Sequence, residues 1–352
     1  MTDGLLGKVL LAGLGAAVAG EAASAIDPCD GSLKPVAGIT IAAETTIADR
    51  RFGGISGIDF EPSSRRLLYV TDDRVTAQDA IAFLSAELSV ADPVSGLAPA
   101  ATRPLLGLST TDGMDVEALR IDPRTDDWWI ASEGGAEPAA PPWIGRFDRQ
   151  GQLRSRITLP RPLDTLPHNR SIEALAFDAQ GYLWVALENA LPIDGPQGNS
   201  ERGADLRVVR VQIGDQPVVS GRATAVIEES LMYRTEPAEI GEGGESDIGI
   251  SEMLRVGDAW WVMERAGLLG KDGRYRFRSR LFCAARDQSS DGRLRKTLLL
   301  DSARLVEPLE ANFEAMTIIP RDGLPPLLVI VNDNNFAPGV ATRVLLWEIS
   351  RR

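Results

Sequence analysis

Residues 172–190 read IEALAFDAQGYLWVALENA. Two short apolar runs flank Asp-Ala-Gln-Gly, residue types that reverse a chain tightly, so the stretch predicts a β-hairpin. Glu173 stands at the entry to the first strand and Glu188 at the exit from the second, fifteen residues apart. Charged side chains are seldom fully buried unless paired or bound to a cation. An antiparallel hairpin brings entry and exit to the same end, so the two carboxylates share one edge.

Four further segments align with this one. They are ISGIDF (55–60) with LLYVTDD (67–73), VEALRI (116–121) with WWIASEG (128–134), SEMLRV (251–256) with WWVMER (260–265), and FEAMTI (313–318) with LLVIVND (327–333). Each is an apolar strand, a turn rich in Pro, Gly or Asp, and a second strand that ends in an acid. First strands start 56 to 79 residues apart, which leaves room for two more strands per unit. The clearest of these lie at 82–88, 206–213, 223–228, 280–284 and 296–301. Only one, 344–349, follows the fifth hairpin, and residues 38–44 near the start supply the missing outer strand. A repeated four-stranded unit sealed by its two chain ends predicts an all-β, five-bladed β-propeller, with six blades as the alternative count. No stretch keeps a helical period. The long connections at 134–142, 191–205 and 234–247 are read as functional or solvated loops.

Aligned by hairpin, the entry positions are Ser56, Glu117, Glu173, Glu252 and Glu314, and the exit positions are Asp72, Glu133, Glu188, Glu264 and Asp333. Radial blades would bring nine carboxylates to one mouth of the channel. Two such charges about 6 Å apart repel by ~3 kcal/mol at an effective dielectric near 20, so a ring must protonate, recruit arginines or bind cations. Oxygen donors in number suit a hard cation, and Ca²⁺ accepts six to eight of them. Zinc is disfavoured, with a single histidine, His168, and two distant cysteines. Arg74 and Arg265 are candidates to stabilise developing negative charge, beside Glu173 and Glu188 as catalytic carboxylates. The competing role for the acids is to accept backbone hydrogen bonds and knit the blades together. His168 is read as a loop residue or a proton shuttle.

A net charge of −13 without a basic stripe argues against nucleic acid as a partner. Residues 1–25 carry Lys8, an apolar run at 9–19 and the small-x-small pattern of Ala23 and Ala25, and are read as a signal peptide. That places the 26–352 domain in the periplasm or outside the cell, without a stable membrane span after processing, as a monomer. Cys29 and Cys283 form either one disulfide or two separate thiols. The single histidine and the strand context of Gly54-Ile-Ser56-Gly disfavour a Ser-His-Asp hydrolase, and no P-loop or dinucleotide fingerprint occurs.

The segments GGISGIDF (53–60) with YVTDDR (69–74), VEAL (116–119) with SEGG (132–135), NRSIEAL (169–175) with ALEN (186–189), and NFEAM (312–316) with VNDNNF (331–336) resemble the phytase-like family, described by its esterase-like activity. The resemblance spans residues 36–350. It implies an exported propeller that hydrolyses phosphate esters with calcium as cofactor. Two other functions suit the same residues: a calcium-dependent lactonase or carboxylic esterase acting on a small-molecule ester, and a non-catalytic binding or scaffold propeller.

Overall fold

The computed structural model describes residues 28–351 apart from 74–78, 110–111, 136–139, 164–169, 214–221, 241–244, 288–291 and 306–308. Residues 1–25, read from the sequence as a signal peptide, and the candidates Arg74 and His168 lie outside the described residues.

Four-stranded antiparallel units follow one another along the chain. After β1 (Gly31–Ile41) and a two-strand ribbon, β2 (Thr46–Ile47) and β3 (Arg50–Arg51), the first blade is β4 (Ile55–Glu61), β5 (Arg66–Thr71), β6 (Ile81–Ser85) and β7 (Pro99–Pro104). The second is β8 (Val116–Ile121), β9 (Trp128–Ser132), β10 (Trp143–Phe147) and β11 (Leu153–Thr158). The third is β12 (Ile172–Phe177), β13 (Leu183–Leu187), β14 (Asp205–Ile213) and β15 (Arg222–Arg234). The fourth is β16 (Glu245–Val256), β17 (Ala259–Leu269), β18 (Tyr275–Arg286) and β19 (Leu294–Asp301). The fifth joins β20 (Asn312–Ile319), β21 (Leu327–Asp333) and β22 (Thr342–Arg351) to β1, so the chain ends seal the ring in the manner expected. The count is five. Blades two and three are also joined at their rims, where β11 and β15 pair in parallel through Arg156–Arg222, Ile157–Ala223 and Thr158–Thr224.

The opening hairpin shows why these sequences form blades. Leu183, Val185 and Leu187 pack into the core shared with blade two, and Trp184 and Ala186 into the core shared with blade four. Alternate residues of a strand face opposite sides of a sheet, and a blade in a ring is covered on both. Both faces are therefore apolar and the strands read as continuous hydrophobic runs. The turn is built by Asp178, whose Oδ1 accepts from the amides of Gln180 (3.0 Å) and Tyr182 (2.9 Å). Its Oδ2 accepts from Trp184 Nε1 at 2.9 Å, and Gly181 takes the left-handed φ of 83° that the turn requires.

Five hydrophobic clusters lie one between each pair of adjacent blades, including blades five and one. Ring closure is thus held by packing as well as by β1. A disulfide between Cys29 and Cys283, with Cα atoms 5.2 Å apart, fastens the start of β1 to β18 of blade four. Trp261 Nε1 donates to the Pro28 carbonyl at 3.0 Å beside it.

Candidate functional site

Every inner strand carries a bulge, near its start in four blades and midway along the longer β16. The register slips between Ile55 and Gly57, Val116 and Ala118, Ile172 and Ala174, Ile250 and Glu252, and Phe313 and Ala315. One residue in each strand is thereby left out of the ladder: Ser56, Glu117, Glu173, Ser251 and Glu314. A bulge inverts the facing of the residues on its two sides, so Ile172 packs toward blade two while Ala174 packs toward blade four. In blade four the bulged residue is Ser251, one position before the Glu252 expected from the sequence.

The exit position slips in the same way. Each neighbouring strand reaches the site one residue past the partner of the residue before the bulge. Ile55 pairs Thr71, Val116 pairs Ser132, Ile172 pairs Leu187 and Ile250 pairs Glu264. The next residues are Asp72, Glu133, Glu188 and Arg265, and Asp333 takes the corresponding place in blade five. Where four blades contribute an acid, blade four contributes an arginine.

Asp72, Glu117, Glu133, Glu173, Glu188, Glu314 and Asp333 all line one cavity of about 1010 Å³ at the mouth of the channel. Glu252 and Glu264, the other expected members of the ring, lie elsewhere. Glu252 pairs with Arg120 at 2.6 Å in the depth of the channel. Arg120 also donates to the Ile58 carbonyl at 3.1 Å and the Met253 carbonyl at 2.9 Å, so one side chain from blade two ties the inner strands of blades one and four. It sits three residues beyond Glu117, about 10 Å further along the strand. Glu264 points between blades three and four and accepts from the Tyr233 hydroxyl (2.7 Å), Lys296 Nζ (2.5 Å) and the Glu236 amide (3.0 Å). Both are structural carboxylates, although only Glu264 has both of its oxygens engaged.

On one side of the cavity, oxygens of Asp115, Glu117 and Glu133 lie within 4.8 Å of one another, as do those of Glu133, Glu173 and Glu188. Glu133 joins the two groups and accepts from the Ser171 amide. Opposite them, Asn312 Nδ2 donates to Glu314 (2.8 Å) and Asp333 (3.3 Å). Its Oδ1 is buried without a hydrogen-bond partner among the described residues. Arg265 stands between the two halves, 2.8 Å from Glu188 and 3.6 Å from Glu314. Asn189 donates to the other oxygen of Glu188 at 3.0 Å.

Burial first, and then mutual repulsion, holds protons on these acids. Glu117 is pushed well above the usual carboxylate range by burial and by Glu173, Glu133, Asp115 and Glu314. Glu173 rises well above it for the same reasons, with Glu188 and Glu133 the nearest repelling charges. Glu133 is pushed up to about 8 by burial and Glu188, against the pull of the Ser171 amide. Glu188 is pushed up only to about 7, because burial is offset by Arg265. Asp333 rises well above the usual range through burial, Glu314 and Asp72, and Glu314 rises through burial less the effect of Arg265. Burial alone would pull the Arg265 guanidinium down; Glu314, Glu188 and Glu173 outweigh it and keep the group cationic.

The donor set fits a hard divalent cation. All ligand atoms are oxygens, the two groups that lie within reach of one ion come from the adjacent blades two and three, and their repulsion is relieved by one buried arginine only in part. Sequence reasoning missed Asp115, whose signal was its spacing two residues before Glu117. It also missed the cavity wall made by blade four, with Asp247, Arg274, Tyr275 and Phe277.

A five-bladed ring with clustered carboxylates at one mouth defines a propeller whose candidate site is built for charge. The chain belongs to the phytase-like family, described as esterase-like activity of phytase, whose pattern matches residues 50–336. No curated protein matches it by sequence. Among solved structures it is similar to the PQQ-bound aldose sugar dehydrogenase from Streptomyces coelicolor, at 14% identity over 93% of this chain and 96% of that one, with a TM-score of 0.39. It is similar to the periplasmic gluconolactonase from Pseudomonas aeruginosa at 14% identity, over 85% and 86% of the two chains, with a TM-score of 0.38. An exo-1,5-alpha-L-arabinanase from a bovine ruminal metagenomic library is 9% identical over 83% and 92%, with a TM-score of 0.45. Likenesses of this degree say nothing about chemistry.

Proposed function

We propose that the 26–352 domain is an exported, cation-dependent hydrolase of phosphate esters. The observation that carries this reading is the convergence of the seven bulge and exit carboxylates in one cavity, with Arg265 the buried arginine beside them. Asp115, Glu117, Glu133 and Glu173 are the residues that would hold the cation, with calcium favoured by the all-oxygen set and Glu188 left beside it to carry a proton. Bound there, a divalent ion would polarise a substrate oxygen and lower the pKa of water.

The chain's own residues supply the rest. Glu188 lies near neutrality, at about 7, where a carboxylate both takes and returns protons at working pH. Arg265 and Asn189 fix its two oxygens, so it presents one orientation. Arg265 also offsets Glu314, which limits repulsion across the cavity. Arg170, Arg274 and Arg343 are exposed around the rim and attract an anionic substrate toward an otherwise acidic protein. Export is supported by the Cys29–Cys283 bridge, since disulfides persist in oxidising compartments. Among the described residues, no helix is long and apolar enough to cross a membrane.

A second reading, hydrolysis of a lactone or carboxylic ester, is favoured by Arg265 being committed to Glu188 and Glu314 rather than open to a phosphate. Parallel panels of phosphomonoesters and lactones, each with calcium and with chelator, decide between them. Calcium-dependent turnover of phosphomonoesters that Glu188→Gln abolishes is the expected result. Lactone turnover alone supports the second reading, and no turnover of either class leaves a binding propeller.

A further inference from the structure

Blade four overshoots the others on the cavity side. Its first strand has 12 residues and its second 11, against 6 and 5 in blade three. From Glu264, β17 continues five residues to Leu269, and β18 starts opposite at Tyr275. At about 3.3 Å per residue this raises a wall of roughly 16 Å above the acids.

The ladder fixes what the wall presents. Asp247 pairs with Gly267, and Gly267 with Phe277, in one row; Leu269 pairs with Tyr275 in the row two residues higher. Asp247, Phe277 and Tyr275 therefore share a face, and all three line the cavity. Tyr275 and Phe277 stack with centroids 6.0 Å apart and planes at 14°. Tyr275 is nonetheless 64% exposed, an unusual state for a large ring at a cavity wall. Gly267, between Asp247 and Phe277, leaves that middle position flat. A Cβ there would sit 2.8 Å from Asp247 Oδ1.

We propose that Tyr275 and Phe277 form a platform for a polyhydroxylated ring carried by the substrate, such as a pyranose. This proposal rests on the hydrolase reading above for the reaction, and not for binding. The face of such a ring is made of C–H groups and packs on an aromatic surface, burying apolar area on both. Its hydroxyls both donate and accept. They satisfy the Asp247 carboxylate two strands across, beyond Gly267, and the Arg274 guanidinium in the turn, where a phosphate would satisfy only the second and be repelled by the first. The ring at the platform thus carries hydroxyls, and the ester bond extends down to the acids.

The test compares wild type with the double variant Tyr275→Ala, Phe277→Ala, in calcium. KM is measured for glucose 6-phosphate, which carries a ring, and for glycerol phosphate, which does not. Saturation-transfer NMR with methyl glucoside reads binding without turnover. Removing the platform should raise KM about tenfold for the sugar phosphate, leave glycerol phosphate unchanged, and abolish transfer to the glucoside ring protons. Equal KM changes for both substrates, or no transfer to methyl glucoside in wild type, overturns the platform. Platform-dependent glucoside binding without turnover of either phosphate supports the platform and removes the phosphoesterase reading alone. An unchanged Tm shows that the variant folds.

Discussion

At the scale of single residues, one position of register separates acids that share the cavity from acids that hold the ring together. Glu117 and Glu173 occupy bulges, out of the ladder and facing the mouth; Glu252 sits one residue past its bulge and faces Arg120. Two kinds of mutant should follow. Glu117→Gln and Glu173→Gln should cut the rise in Tm that calcium produces, because each removes a charged ligand. Glu252→Gln and Glu264→Gln should keep that rise while lowering stability by about 3 kcal/mol, since loss of one partner strands a buried cation at Arg120 or Lys296. Thermal melts of the four proteins with calcium and with chelator check both statements. If Glu252→Gln abolished the calcium response, the assignment of cavity residues by bulge register would be wrong. Arg265→Met belongs to the same scale. It leaves Glu188 and Glu314 facing each other without a counter-charge, and should cost about 3–5 kcal/mol in denaturant unfolding at pH 7.

At the scale of strands and blades, the inner hairpins were legible because both of their faces are buried. Ile172, Leu175, Leu183, Val185 and Trp184 give an apolar run whichever way a residue points. The outer strands face solvent on more of their surface and lose that signature. Pro99–Pro104 was missed because it is built from alanine, threonine and arginine between prolines, and is half exposed. Trp143–Phe147 and Leu153–Thr158 were missed because they follow the Pro-rich connection at 134–142. The blade-four slip has a different cause. Four bulged residues follow an apolar neighbour directly, as in Ile55-Ser56 and Ile172-Glu173, and Ile250-Ser251 matches that pattern. Aligning on acids instead of on the apolar residue put Glu252 in the place of Ser251 and concealed Arg265 as the fourth exit residue. The disulfide was left open by the sequence, since 254 residues separate its cysteines and only the closed ring brings them together. Cys29→Ser should therefore loosen closure itself. A loss of about 2–4 kcal/mol in stability is expected, with hydrogen exchange rising first in β1 and in β22 beside it. Exchange that rises evenly over all blades would argue against this local role.

At the scale of the whole molecule, the cavity acids make stability depend on pH in a direction opposite to that of ordinary paired carboxylates. Glu133 at about 8 and Glu188 at about 7 hold protons that the unfolded chain releases near 4.5. Between those values the folded state binds more protons than the unfolded one, so stability falls as pH rises. The carboxylates pulled down by arginines, such as Asp205 and Asp301, act in the other sense. Their contribution is lost as pH falls below about 4 and is level above that, so it leaves the window from pH 5 to 8 to the raised carboxylates: the cavity acids and, in the same sense, Glu252, which burial pushes up to about 7 against the pull of Arg120. Chelator-treated protein should thus melt at lower temperature at pH 8 than at pH 5. Calcium must displace the same protons, which makes its binding weak at pH 5 and tighter as they leave. A ligand at about a hundred times its Kd stabilises by ~2.7 kcal/mol. Millimolar calcium should therefore raise Tm by several degrees at pH 8 and leave it nearly unchanged at pH 5. Differential scanning calorimetry at the two pH values separates this from a purely structural ring. If Tm rose with pH in chelator, or calcium acted equally at both, the cavity acids would have to be ionised and internally paired, and no cation would be needed to relieve them.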